Sequence, residues 1–89
     1  MFAGCGGEKP SPAIVAEAKQ AYADAKADGV DMSRGPCLGL VATDWVADVA
    51  HKPRKDVDDD PANQCEAYRN GTAHHFVELD PNGKVIRSG

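Results

Sequence analysis

The sequence predicts an α+β domain: an N-terminal helix packed on a small antiparallel sheet of about three strands ending in a β-hairpin, with room for a short second helix. Three observations predict it. An alanine-rich stretch opens on Ser11-Pro12 and closes on Gly29, Trp45 to His51 alternates in polarity, and two β-rich runs flank Asp80-Pro81-Asn82-Gly83. The 89 residues make one small domain. At that size a single core leaves thin stability, and a covalent staple is a common remedy.

Residues 1–10 are glycine-rich and lack any apolar period, so they are expected to form a flexible tether, with residues 11–89 as the folded domain. Ser11 is placed as an N-cap, and Pro12 sits at the first helical position, where its missing N–H costs nothing. Ile14, Ala18, Ala21, Tyr22 and Ala25 then fall on one stripe at three- and four-residue spacing, and Gly29 supplies a left-handed C-terminal cap. Residues 30–44, with Gly35-Pro36 and Gly39, are expected to be a loop whose Leu38, Leu40 and Val41 find some burial. Along the next strand Trp45, Ala47, Val49 and His51 share one face and Val46, Asp48 and Ala50 the other, until Pro53 ends it. Trp45 is expected in the core. Asp60-Pro61 repeats the cap-and-proline device, and residues 61–69 have the composition of a short helix closed by Asn70-Gly71, with a strand as the alternative because the segment is too short for periodicity to decide. The hairpin is the clearest local signal. Pro81 presets φ in its turn, Gly83 can take a positive φ, and His75, Val77 and Leu79 point away from His74, Phe76 and Glu78.

The formal net charge is −4. A nucleic-acid partner would need a basic stripe to neutralise phosphates. The one candidate, Lys52-Pro53-Arg54-Lys55, is followed at once by Asp56, Asp58, Asp59 and Asp60 and reads as a solvated loop. No stretch is apolar for long enough to make a membrane helix, and the apolar run before Cys5 is too short for a complete signal peptide.

The three cysteines divide into two jobs. Phe2-Ala3-Gly4-Cys5-Gly6-Gly7 resembles the end of a bacterial lipoprotein signal, in which small residues precede a cysteine that becomes lipid-modified. The resemblance covers the first seven residues, and Phe2 stands where that family prefers an aliphatic residue. It implies an exported protein, at the cell surface, in the periplasm or secreted, with Cys5 as the lipidation candidate and any membrane contact made through that anchor. In an oxidising compartment Cys37 and Cys65, each beside a turn signal, are expected to pair. The competing readings are two buried thiols or two metal ligands. Neither cysteine belongs to a Cys-x-x-Cys or Cys-x-x-His unit, which disfavours zinc.

Few residues suggest chemistry. His74-His75-Phe76-Val77-Glu78-Leu79 resembles the opening of an HNH nuclease motif, but no downstream histidine follows to complete the metal site. Strand alternation places His74 and His75 on opposite faces, so they should not share an ion; His51 with one of them, plus Asp48, Glu78 or Asp80, is the remaining histidine set. Asp56, Asp58 and Asp60 resemble the first half of an EF-hand calcium loop. It departs where Pro61 takes the glycine position and Ala67 the bidentate glutamate position. No serine or cysteine has an evident base and oxyanion donor, Gly4-x-Gly6-Gly7 is no phosphate loop, and Asn70-Gly71-Thr72 fits both a glycosylation site and a turn. The expected function is therefore a non-catalytic exported domain that binds an unknown protein or small ligand or serves structurally, without a cofactor. The alternative is a metal-binding protein using His51, His74 and His75 or the Asp56–Asp60 acidic loop.

Overall fold

The computed structural model describes residues 9–89. The expectations for Cys5 and for most of the 1–10 tether lie outside the described residues.

Helix α1 spans Pro12–Ala27, and the Ser11 hydroxyl accepts the Ile14 N–H at 3.2 Å as the cap requires. Gly29 takes φ +86° just past its end. Ala18 and Tyr22 are buried, with Ile14 and Ala25 packed beside them, so the stripe does face the core. Alanines let α1 lie close on the sheet. Tyr22 also reaches past it: its hydroxyl donates to the Pro81 carbonyl at 2.7 Å, and its ring lies so near Gly83 that an added Cβ there would come within 2.8 Å.

The sheet has four strands in the order β1 (Cys37–Ala42), β2 (Trp45–Val49), β3 (His75–Leu79) and β4 (Val85–Ser88). β1 and β2 are antiparallel, β2 and β3 parallel, and β3 and β4 antiparallel. Two expectations need correction. The sheet is mixed and four-stranded, where about three antiparallel strands were expected, and much of the anticipated 30–44 loop is the edge strand β1. Gly39 disguised that strand: it has φ +95° and sits in a bulge, where a register shift separates Cys37 from Gly39. Leu38 and Val41 pack toward α1 as the loop reading required, but Leu40 is 63 % exposed.

Parallel neighbours need a crossover connection, and residues 50–74 supply it. This crossover lies over the sheet face opposite α1, where Cys65 and Ala73 close a second small core with Val46. Trp45, at 5 % exposure, packs with Val49, Val77 and Leu79 in the main core on the α1 side. The expected helix at 61–69 is split. Asp60 caps a 3₁₀ turn at Pro61–Asn63 by accepting the Ala62 N–H, Gln64 is extended, and α2 is the single turn Glu66–Arg69. The break falls beside Cys65, which is bonded to Cys37 with their Cα atoms 4.9 Å apart.

β2 ends at Val49, so His51 lies beyond the strand that was expected to contain it. The crossover is held at this point by Asp58, which is only 4 % exposed. Its carboxylate accepts the His51 and Lys55 backbone N–H groups, both at 2.9 Å, and meets His51 Nδ1 at 3.0 Å. Burial pushes this carboxyl up, but the hydrogen bonds from Lys55 and His51 outweigh it and hold the pKa below the ordinary value. Gly35, at φ +64°, packs so tightly against Asp58 that a Cβ there would overlap the carboxylate. Asp58→Ala would strand two backbone donors and is expected to lower unfolding free energy in urea by about 2 to 3 kcal/mol at neutral pH. The wild-type contribution should fade as pH falls below the ordinary carboxylate range, where the lowered folded pKa is crossed. Unchanged stability in the variant would show that the loop holds itself without this residue.

Candidate functional site

The register of the four strands aligns one row of side chains on the face away from α1. Cys37 pairs with Asp48, Asp48 with Glu78, and Glu78 with Arg87. Two carboxyls thus stand directly opposite each other on adjacent strands, an arrangement that ordinarily destabilises a sheet. Glu78 is 4 % exposed. Arg54, from the crossover, reaches both of its oxygens through Nη1 at 3.2 Å, and Arg87 Nη2 approaches it at 3.3 Å. Arg54 also holds Asp59 at the rim, at 3.1 Å. Glu78 is therefore a fully countered carboxylate.

Asp48 has no such support. Its Oδ1 is buried without a hydrogen-bond partner. Burial, then the negative charge of Glu78 and a hydrogen bond to it, push its pKa up to about 8, against smaller opposing effects of Arg54 and Arg87. A shift of this direction favours a single proton held by the pair and one negative charge between the two carboxyls.

Above this row lies an open cleft of about 400 Å³. Val46, Asp48, Phe76 and Glu78 form its floor, Gln64, Cys65, Tyr68 and Arg69 one wall, and Arg54 and Arg87 the other side. Tyr68 meets Phe76 edge-on at 5.4 Å, and the Arg87 guanidinium sits 5.4 Å over the Phe76 ring. The volume falls within the usual range for small-molecule sites. What the arrangement offers is a flat apolar patch beside arginines, with a proton-carrying carboxyl at its base.

Asp48 and Glu78, named from the sequence as possible metal partners of His51, stand in this cleft, but the histidines and the acidic loop lie elsewhere. His51 is engaged by Asp58, as described. His74 and His75 were expected to diverge, yet both turn to Asp44, His74 Nδ1 at 2.7 Å and His75 Nε2 at 3.6 Å. The reason is that β3 begins only at His75, so strict alternation does not reach His74. Asp44 occupies the β1–β2 turn at φ +70°, and the hydrogen bond from the His74 ring leads the effects that lower its pKa. His75 stacks on Trp45 at 4.7 Å. Of the acidic loop, Asp58 points inward, Asp60 caps a turn and Asp56 is exposed. Asp80 accepts the Asn82 and Lys84 N–H groups of its own turn. Among the described residues, no group of three or more histidine, cysteine or acidic side chains is placed to hold a metal ion.

The sequence reading missed the Asp48–Glu78 pair and the role of Arg54, Tyr68, Arg69 and Arg87 around it. A signal was available: alternation puts Asp48 with Val46 and Glu78 with Phe76, on the apolar but not α1-covered side of each strand. Comparison with protein-family models, with curated proteins and with solved structures finds no match to this chain.

Proposed function

We propose that this chain is an exported, non-catalytic binding domain whose ligand site is the cleft over Asp48 and Glu78. The observation that carries this reading is the in-register carboxyl pair. Opposed carboxyls on a largely buried sheet face cost stability, and a fold that needed only packing would be better served by apolar residues there. Features that break a local rule in this way concentrate at functional sites.

Paired carboxyls sharing a proton also serve acid–base catalysis. Binding is favoured here because both Glu78 oxygens are already engaged by arginine, which leaves neither poised to take a substrate proton. Export is supported by the Cys37–Cys65 bond, since disulfides persist in oxidising compartments, and by the lipoprotein-like residues around Cys5. No helix among the described residues is long and apolar enough to cross a membrane, and a lipid on Cys5 would supply the tether.

The test is an amide NMR screen of the oxidised protein with a set of charged and neutral single-ring fragments. Binders should shift Val46, Asp48, Tyr68, Phe76 and Glu78, and Tyr68→Ala should weaken them. Shifts confined to the lysine-lined groove of Lys52, Lys55 and Lys84, or no binder at all, would overturn the site. For the tether, a clickable palmitate analogue fed to expressing cells should label the full-length protein but not its Cys5→Ser variant.

A further inference from the structure

We infer that the cleft takes a small planar organic carboxylate, its anionic group on Arg69 and Arg87 and its flat face against Tyr68 and Phe76. This rests on the cleft being the ligand site and adds the chemical class of what enters it.

The charge count decides the sign. Arg54, Arg69 and Arg87 line the cleft against two carboxyls, Asp48 and Glu78, and the raised pKa of Asp48 disfavours a second negative charge on that pair, while Asp59 draws on Arg54 from the rim. The balance is positive, although the whole chain carries a formal −4. A cation entering here would face three guanidinium groups and find the Glu78 oxygens already occupied.

The disposition of the arginines decides the group. The Arg69 side chain makes no hydrogen bond or ion pair among the described residues, although it stands on the cleft wall. Arg87 touches Glu78 through Nη2, and its side chain remains 56 % exposed, so donors are left for a ligand. Guanidinium forks match a carboxylate in plane and spacing, and favour it over a point charge.

The aromatic residues decide the body. Tyr68 is 45 % exposed, and with Phe76 it forms a two-ring corner next to Arg69 and Arg87. A flat apolar ligand bearing a carboxylate spans both features, whereas a bare inorganic anion uses only the first.

Asp48 adds a pH dependence. It is faced by Glu78 from β3, by Arg54 from the crossover and by Arg87 from β4. When its proton leaves, the cleft gains a negative charge and an anionic ligand should bind less well.

The proposal is tested by NMR titration with benzoate, with inorganic phosphate as an anion lacking a flat body and benzylamine as the same body with opposite charge. Benzoate should shift Tyr68, Arg69, Phe76 and Arg87, phosphate should bind more weakly, and benzylamine should leave the cleft unmoved. Arg69→Gln should weaken benzoate roughly tenfold, the effect of losing a charge-assisted contact near the surface. Benzoate affinity should also fall between pH 6.5 and pH 9 in the wild type and much less in Asp48→Asn. Benzylamine in the cleft, phosphate binding as well as benzoate, or benzoate indifferent to Arg69→Gln would each overturn the ligand class while leaving the cleft as the site. If none of the three probes shifts the cleft and the fragment screen is also silent there, the site itself is overturned.

Discussion

Replacing Cys37 or Cys65 by serine should destabilise the domain by about 2 to 5 kcal/mol and shift it toward unfolding at 37 °C. The bond closes a loop with a sequence separation of 28 residues, for which chain entropy alone amounts to about 3 to 4 kcal/mol. For a domain whose total stability is of order 5 to 15 kcal/mol, that share decides whether it folds. Position adds to length. Cys37 opens the edge strand β1 and Cys65 immediately precedes α2, so the bond pins the crossover onto the sheet face where Val46 and Ala73 pack. Without it, the crossover depends on Asp58, the Arg54–Glu78 contact and that small apolar cluster. The floor of the cleft would remain while its Tyr68–Arg69 wall loosened. Urea denaturation of each variant under oxidising conditions, beside the wild type with and without reductant, checks the expectation. Equal stability with and without the bond would refute it, and peptide mapping of the unreduced protein must find Cys37 joined to Cys65.

What could be read from the sequence was what short-range chemistry determines. Ser11-Pro12 and Gly29 bracket α1 because capping and φ preferences act within a few residues, and Asp80 to Gly83 marks its turn for the same reason. β1 was hidden because Gly39 belongs to a bulge, and a bulge glycine looks like a loop glycine until its partner strand is known. The parallel pairing of β2 with β3 was hidden for a deeper reason. Pairing across a long crossover leaves no local trace, and without it Asp48 and Glu78 are two polar residues on two separate strands. Their faces could be read, but not their contact. Arg54 shows the same limit: within its own segment it belongs to a charged loop, and only the folded crossover aims it at Glu78.

The shared proton of the cleft should be visible as a stability that falls with rising pH. The folded pKa of Asp48, raised to about 8, lies well above the value near 4 of an unfolded aspartate. Between those two values the folded chain holds a proton that the unfolded chain has shed. The contribution of this carboxyl is therefore fully present below about pH 4 and is lost as pH rises through about 8. Each unit of displacement is worth about 1.4 kcal/mol. Asp48→Asn keeps the shape of the protonated acid and an N–H donor for Glu78, but has no proton to lose. The variant's stability relative to the wild type should rise by at least about 2 kcal/mol between pH 5 and pH 9, read from urea midpoints across the range. Comparing the two proteins at each pH cancels the titrating groups that do not touch Asp48, so the difference reports the Asp48–Glu78 pair. Glu78→Gln should behave in the opposite sense at neutral pH, because it leaves Arg54 and Arg87 facing a neutral amide on a buried strand. If the wild-type and Asp48→Asn curves stay parallel from pH 5 to pH 9, Asp48 is ionised throughout and the floor of the cleft carries two negative charges, not one.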